Sequence, residues 1–174
     1  MHSNEQSPRI DLINNEAVVK LKELAEKARN CIFSTNVADF PHTSRPMALK
    51  EVDVQGKLWF ISSKESNKNS EIEKDNRVTL YFQNNGAYEF LVVSGRAAIH
   101  TDKALIEKYW NPFANAWFDG KDDPRITIIS VDPIDSDYWD TKDGKVVSFI
   151  KMSFSALTGA RSDDGGVEGK LKIQ

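Results

Sequence analysis

The sequence predicts a mainly β protein: a small barrel of six or seven mostly antiparallel strands with covering helices. Short segments rich in apolar and β-branched residues follow one another, separated by Gly, Pro, Asn and Asp. Two compact turns, Gln55-Gly56 and residues 84–86, join consecutive segments and so indicate antiparallel pairing. The chain has 174 residues, the size of one domain, and we expect residues 1–174 to form a single domain.

Helices are expected at three places. Residues 16–29 carry apolar side chains at helical spacing, and Asn14 and Asn15 precede them as candidate caps. A short helix should begin at Ser66, and a second main helix should follow Asp102.

The strand pattern fills most of the remaining chain. Strands are expected at residues 31–37, 45–54, 57–62, 78–83, 88–100, 126–131 and 146–150. Pro133 should end the sixth of them, and Asp143-Gly144 should form a hairpin turn before the last. Residues 1–13 are expected to be a flexible lead-in. Residues 160–174 are expected to be a surface tail, in which the glycines, Gly169 among them, indicate turns.

Composition excludes several classes of function. The formal net charge is -3, which gives no basic footprint for nucleic acid. The three histidines are scattered, so no metal site is expected, and the single cysteine, Cys31, cannot form an internal disulfide and should be buried. No apolar stretch is long enough to cross a bilayer and no leader is recognisable, so we expect a cytoplasmic protein.

A candidate anion site lies where two consecutive strands meet their loops. Arg45 offers a planar fork of donors suited to phosphate oxygens, and Lys68 offers a point charge. Ser62, Ser63 and Ser66 supply uncharged donors beside them. This combination of residue types is typical of a site for a phosphate-bearing cofactor.

Each of these residues also has a plain structural interpretation. Lys68 could lie in a solvated loop, although a helix beginning there would itself favour phosphate through its free amides. Arg45 could be a surface residue on a strand edge, because a proline follows it. Met47 and Trp139 could be core or ligand contacts, and His42, without a partner for acid–base chemistry, is interpreted as a loop residue.

The order of these features resembles a known group. A first helix, a strand with Arg45-Pro46-Met47, a hairpin at Gly56, an aromatic strand ending in hydroxyls and a Ser66-x-Lys68 pair resemble the FMN-binding split β-barrels, the pyridoxamine 5'-phosphate oxidase-like superfamily. Within that superfamily the bacterial general stress proteins are the most similar branch. Three further segments carry the resemblance: residues 122–124, 138–140 and 157–159.

The resemblance implies FMN as the cofactor and assigns a set of residues to it. The implied cofactor-binding residues are Arg45, Pro46, Met47, Lys50, Ile61, Ser62, Ser63, Ser66, Asn67, Lys68 and Trp139. Lys50 is the candidate to stabilise negative charge on the reduced flavin. Regular alternation along one strand would put Arg45 and Lys50 on opposite faces, so serving one site requires a bulge or different depths along the cofactor.

Three departures from the family pattern limit what can be carried over. Asn67 replaces an arginine, which removes one phosphate-binding charge. Glu89 and Phe90 occupy the neighbourhood where the family has a glutamine at the flavin. The Arg-x-His that binds pyridoxine phosphate is absent, since Lys142, Lys145 and Val146 stand there, so the chain is not expected to be a true pyridoxamine phosphate oxidase.

The resemblance leads to a flavin-dependent oxidoreductase that takes electrons from NADH or NADPH, with no catalytic side chain assigned because the flavin does the redox chemistry. Two alternatives stay open: a flavin-binding stress protein without turnover, serving as reservoir or redox sensor, and a barrel that binds deazaflavin or haem, haem being disfavoured for want of an axial ligand. The family builds its site between two subunits, so we expect a homodimer with the flavin at its interface.

Overall fold

The structure is a computed structural model that describes residues 9–141 and 166–173. In this part of the chain the helices are α1 (Asn14–Ala28), α2 (Asn67–Lys74), α3 (Lys103–Tyr109) and a 3-10 helix (Pro112–Ala116). The strands are β1 (Leu12–Ile13), β2 (Asn30–Thr35), β3 (Thr43–Ala48), β4 (Glu51–Val52), β5 (Leu58–Ser63), β6 (Arg77–Asn84), β7 (Glu89–His100), β8 (Ile126–Thr141) and β9 (Gly166–Lys172).

These strands form one branched sheet that closes on itself, which confirms the predicted barrel. β3, β2, β6, β7 and β8 pair in that order, and every neighbouring pair is antiparallel. β8 also pairs with β5, and β5 pairs with β4, which follows β3 after only Leu49 and Lys50. Consecutive strands β3 and β4 therefore join the two ends of the sheet and close the barrel.

The sheet divides along β8. Residues Ile126–Val131 of β8 pair with β5, whereas residues Ser136–Thr141 pair with β9 on the same edge. β7 runs along the opposite edge of β8 for its whole length. One long strand thus belongs to both halves of the fold.

The interior is filled by alternate side chains of the strands and by one face of α1. Ala17, Leu21 and Leu24 of α1 are buried, and they pack in the same cluster as Phe33 and Phe60. The two phenylalanine rings meet edge to face, with centroids 5.4 Å apart. The apolar residues of α1 lie on this one face, so packing it against the barrel stabilises the helix.

Several boundaries differ from those predicted. The N-cap of α1 is Ile13 and carries no side-chain cap bond, because Asn14 and Asn15 are already inside the helix. The strand expected at residues 45–54 is two strands, since the chain changes partner from β2 to β5 at residues 49–50.

Pro133 does not end β8. The register of β7 against β8 shifts between Ser94 and Gly95, so that Gly95 faces Pro133 and Ser94 faces Asp135. β8 therefore has one residue more than β7 between these two pairs, which makes a β-bulge. A bulge is a place where a strand accepts proline, which has no backbone N–H to donate. A side chain at Gly95 would collide with the backbone of Asp132, so glycine is required for this close approach.

The C-terminal segment expected as a surface tail contains a strand. β9 pairs with β8 and with β1, and Leu171 is buried. Gly169 lies against the backbone of Ile10, where a side chain would collide, and Tyr138 donates a 2.8 Å hydrogen bond to the Ile10 carbonyl. The glycine that suggested a turn therefore permits close packing inside a sheet.

The turn at residues 143–144, the strand at residues 146–150 and the segment 157–159 lie outside the described residues. Lys142, Lys145 and Val146 do so as well. Among the helices that the structure describes, none combines the length and the apolar character that crossing a membrane requires.

Candidate functional site

The end of β5 and the start of α2 form a hydroxyl-lined cradle, defined here as Ser62, Ser66, Lys68 and Asn69. Side chains alternate along β5, so Ser62 points to the same buried side as Leu58. Ser66 occupies the N-cap position of α2 with extended backbone, but its hydroxyl donates to the Ser63 carbonyl at 2.8 Å instead of capping a helix amide. The first amides of α2 therefore keep their capacity to bind an anion.

Lys68 is the cation of this cradle. Its side chain is only 9% exposed, and its Nζ donates to Ser62 Oγ at 2.5 Å and to Ser66 Oγ at 3.1 Å. No carboxylate lies within ion-pair distance of it among residues 9–141 and 166–173. Burial, reinforced by the positive charge of Arg45 and opposed by Glu71, lowers the pKa of Lys68 to about 8.

A buried amide forms the floor of the cradle. Asn69 Oδ1 accepts from Ser62 Oγ at 2.8 Å, and Asn69 Nδ2 donates to Thr127 Oγ1, also at 2.8 Å. Asn69 and Thr127 are each 2% exposed. Because Ser62, Asn69 and Thr127 are linked by hydrogen bonds, the Ser62 hydroxyl that accepts the hydrogen bond from Lys68 is held in one orientation.

Arg45 reaches the same place from β3. Its guanidinium contacts Glu71 Oε2 at 2.6 Å and donates to Thr35 Oγ1 at 2.6 Å. Burial raises the pKa of Glu71, but hydrogen bonds from Thr35 and Arg45 outweigh that effect, and the pKa is lowered overall. Glu71 lies one turn after Lys68 in α2, and the charges of Arg45 and Glu71 both act on Lys68, so the two cations predicted from sequence lie close to each other and to this carboxylate.

Other predicted site residues lie around this cluster. Asn67 is the exposed first residue of α2, and Ser63 is half-buried at the end of β5. Ile61 points to the other face of β5, where it packs against the small apolar cluster of the 3-10 helix. Met47 packs at the edge of the main core.

Lys50 does not join the Arg45–Lys68 cluster. It lies between β3 and β4, so the alternation argument does not apply to it, and its backbone N–H donates to the Trp59 carbonyl at 2.8 Å. It lines a separate groove with Arg29 at the C-terminal end of α1, called the α1 groove below. Burial lowers the pKa of Lys50.

Pro46 and Trp139 belong to an outward-facing apolar surface that crosses five strands. This surface, called the outer face below, comprises Pro46, Ile32, Tyr81, Phe90 and Trp139. It encloses a shallow cavity of about 480 Å³. The Trp139 indole N–H donates to Glu168 of β9 at 2.9 Å, which fixes the ring at one end of the outer face.

The residues noted as departures from the family pattern have separate positions. Glu89 is buried and bonded to Lys27 and Asn84, on the side of α1, whereas Phe90 faces outward. His42 is exposed and has no partner among the residues that the structure describes.

Sequence reasoning missed four residues of the site: Thr35, Glu71, Asn69 and Thr127. Glu71 carried a usable signal, because it follows Lys68 at helical spacing, but its pattern equally suits a solvated helix face. Thr127 carried none, since it is 58 residues from Asn69 and only strand pairing places it there.

An unpaired, buried ammonium at the start of a helix, with Arg45 nearby, fits the phosphate of a cofactor such as FMN. The family model described as pyridoxamine 5'-phosphate oxidase like matches residues 16–163. General stress protein 26 of Bacillus subtilis is 35% identical over 81 residues, which are 45% of this chain and 58% of that protein. The chain spans only about half the length of the curated relatives it matches.

Two solved structures are similar over most of the chain. General stress protein 26 of Bacillus anthracis has a TM-score of 0.60 at 23% identity, covering 71% of this chain and 92% of that one, which shows the shared fold. A protein of Xanthomonas citri described as a general stress FMN/FAD binding protein has a TM-score of 0.60 at 26% identity, covering 71% and 87%. The barrel and the extent of the family match together show that the chain belongs to the pyridoxamine 5'-phosphate oxidase-like family, within the FMN-binding split barrels.

Proposed function

We propose that the chain binds FMN, with the phosphate in the cradle, and acts as a flavin-dependent oxidoreductase of the general stress protein type. The observation that carries this proposal is Lys68, a buried ammonium held by two hydroxyls with no carboxylate within ion-pair distance among the described residues. Burying a positive charge costs free energy unless an anion pairs with it. A phosphate ester supplies two negative charges and several acceptor oxygens.

The rest of the cluster suits a phosphate of moderate affinity. Arg45 and Lys68 contribute two positive charges, Glu71 subtracts one, and Asn67 is neutral. The free amides at the start of α2 add donors that cost no side-chain ordering. FMN, when bound, supplies two-electron transfer; the chain's own residues bind the phosphate, orient the ring and exclude water.

Two findings on relatives support the flavin. The chain belongs to a family named for a flavin enzyme, and the Xanthomonas citri protein is described as binding FMN or FAD. The absence of the family's Arg-x-His, already visible in the sequence, argues against pyridoxine phosphate as substrate. We propose a nicotinamide, NADH or NADPH, as the electron donor.

The outer face supports a homodimer with the flavin site at its interface. Ile32 and Tyr81 are 45% and 43% exposed although they lie in the middle of a sheet. Apolar side chains continuous across five strands are typical of a protein–protein interface. Pro46 connects this surface to Arg45, so a second copy seated here would lie beside the cofactor.

The dimer is tested by light scattering coupled to size-exclusion chromatography. We expect a dimer mass for the unaltered chain and a monomer mass for Ile32→Lys combined with Tyr81→Lys. Val54→Lys is the control, because Val54 is exposed alone, away from the outer face. A dimer that survives the double substitution contradicts this interface.

The function is tested by titrating the purified chain with FMN and with riboflavin, then adding NADH or NADPH without oxygen. FMN should bind more tightly than riboflavin, and one nicotinamide should bleach the flavin absorbance. Equal affinity for the two flavins, or unchanged FMN affinity in an Arg45→Ala/Lys68→Ala variant, contradicts the cradle assignment. FMN binding without bleaching by either nicotinamide indicates a flavin-binding protein without turnover.

A further inference from the structure

Asn69 is a buried amide whose two ends face different partners. Its Oδ1 accepts from Ser62 Oγ at 2.8 Å and lies 3.1 Å from Ser66 Oγ, the two hydroxyls that bind Lys68. Its Nδ2 donates to Thr127 Oγ1 of β8 at 2.8 Å. The reverse orientation would point the positive end of the amide dipole at hydroxyls that already accept from an ammonium. The charge of Lys68 therefore favours the orientation found.

The proton of each serine hydroxyl in the cradle points away from Lys68. A hydroxyl has one proton to donate. Ser62 donates its proton to Asn69 Oδ1. Ser66 donates to the Ser63 carbonyl at 2.8 Å, with the same Oδ1 as a second acceptor. Both hydroxyls therefore present lone pairs to Lys68, which donates to them at 2.5 Å and 3.1 Å.

These two acceptors leave Lys68 with one uncommitted donor. An ammonium has three N–H bonds in a tetrahedral arrangement, so fixing two of them fixes the direction of the third. Within residues 9–141 and 166–173, only the two serine hydroxyls accept from this ammonium. The charged groups that act on it are Arg45 of β3 and Glu71 of α2, whereas β5 and β8 contribute hydroxyls alone. Lone pairs that face an ammonium favour its charged form.

We propose that Asn69 is a positioning residue of the cradle: by taking the Ser62 proton it keeps that hydroxyl as an acceptor for Lys68, and it leaves the third Lys68 N–H for the phosphate. Thr127 holds the amide in the orientation that does this. The inference rests on the proposed function for the identity of the ligand, whereas the bonds that carry it are those of the free chain. Asn69 acts through Lys68 and needs no contact with the phosphate.

The test measures FMN and riboflavin affinity by quenching of flavin fluorescence in two variants, Asn69→Leu and Thr127→Val. Asn69→Leu should raise the FMN dissociation constant by about ten-fold, the loss of one hydrogen bond to a charged group, and leave riboflavin binding unchanged. Thr127→Val, which keeps the β-branched shape and removes the hydroxyl, should weaken FMN binding in the same way. Thr127→Ser is the matched control: it keeps the hydroxyl and should bind FMN as the unaltered chain does.

The pKa of Lys68 in the free chain gives a second readout, followed by NMR at its ε-carbon. Burial and the neighbouring charges lower this pKa to about 8 in the unaltered chain. Asn69→Leu and Thr127→Val should each lower it by about one further unit, because the ammonium loses an oriented acceptor. Thr127→Ser should not move it. A purely structural role for Asn69 would change the free energy of unfolding and leave this pKa where it is.

Two results would overturn the inference: an unchanged Lys68 pKa in both variants, or a loss of affinity that is equal for FMN and riboflavin. FMN binding by the unaltered chain, together with unchanged FMN affinity in both variants, also contradicts the inference and leaves the proposed function in place. An unaltered chain that binds no FMN contradicts the proposed function. The pKa of Lys68 in the free chain then still decides whether Asn69 positions this side chain.

Discussion

The cradle and the α1 groove both hold an unpaired lysine, but they hold it differently. Lys68 is almost fully buried and is fixed by two hydroxyls, which are themselves bonded to a buried asparagine. Lys50 is half-buried and its ammonium has no such partners among the described residues. The comparison teaches that the bonded hydroxyls hold Lys68 in place before any ligand binds, whereas Lys50 would have to be ordered on binding, at a cost in side-chain entropy.

The largest effect should come from removing the preorganised charge. Lys68→Met should weaken FMN binding by about a hundred-fold or more, because a buried phosphate loses its cationic partner. Riboflavin, which has no phosphate, should bind almost as before. The measurement is quenching of flavin fluorescence, with Lys74→Met in the exposed last turn of α2 as control. A similar loss for both flavins would show that the variant damages the ring site and not the phosphate site.

The pKa of Lys68 predicts the next largest effect. In the free protein that pKa is about 8, so above pH 8 the side chain must take up a proton before it can pair with phosphate. FMN affinity should therefore be level between about pH 7 and 8, where the phosphate is doubly ionised, and fall by up to about ten-fold per pH unit above pH 8, while riboflavin affinity stays level.

The same shift has a consequence for folding. The folded-state pKa of Lys68 lies below its ordinary value of 10.5, so between about pH 8 and 10.5 the unfolded chain binds more protons at this site. This site's contribution to stability should therefore rise with pH in that window. Urea titrations of the unaltered chain and Lys68→Met, compared across it, measure the contribution; a flat difference contradicts the shift.

Glu71→Gln should have two smaller effects, tighter FMN binding and lower stability. Removing the carboxylate raises the positive charge around Lys68 and frees the Arg45 fork, so FMN binding should tighten by several-fold, about 1 kcal/mol. The partly exposed ion pair with Arg45 is lost, so the free energy of unfolding should fall by about 1 kcal/mol or less. Glu73→Gln in the same helix is the matched control. Weaker FMN binding in Glu71→Gln would mean that the carboxylate positions Arg45 for the phosphate.

The smallest effect should be found in the α1 groove. Lys50→Met removes a cation whose pKa burial has lowered, so it should leave the free energy of unfolding unchanged or raise it by up to about 1 kcal/mol. Lys103→Met, at an exposed position, should have no effect. Urea unfolding followed by circular dichroism measures both. A marked loss of stability in Lys50→Met would show that Lys50 has a structural partner.

The sequence predicted the local features of the fold correctly at two turns and at the start of one helix. Gln55-Gly56 predicts its turn because only a glycine accepts the φ of 85° found at Gly56. The turn at residues 84–86 joins β6 to β7 as predicted, since short Asn and Gly turns match the twist of antiparallel strands. Ser66 lies at the start of α2 as the sequence predicts, although its hydroxyl donates to the Ser63 carbonyl and caps no backbone amide of the helix.

Misplaced boundaries share one cause. Pro133 and Gly169 were interpreted through their usual local meaning, as the end of a strand and as a turn. In the structure both lie within strands, because a bulge opposite Gly95 accepts the proline and the approach of Ile10 requires the glycine. Whether a proline or glycine ends a strand or lies within it depends on residues that are distant in sequence. The local sequence pattern does not show which residues those are.

By itself the sequence determined the β-rich class, the hairpins, the apolar face of α1 and the chemical types of the residues in the candidate anion site, because these follow from backbone preferences and side-chain chemistry. Only the tertiary structure decided that Arg45 pairs with Glu71 close to Lys68, that Thr127 bonds to Asn69 of the cradle, and that Lys50 lines a groove with Arg29 instead. The reason is that strand pairing and barrel closure join residues up to 58 positions apart in the cradle, and the register that does so is set by packing of the whole core.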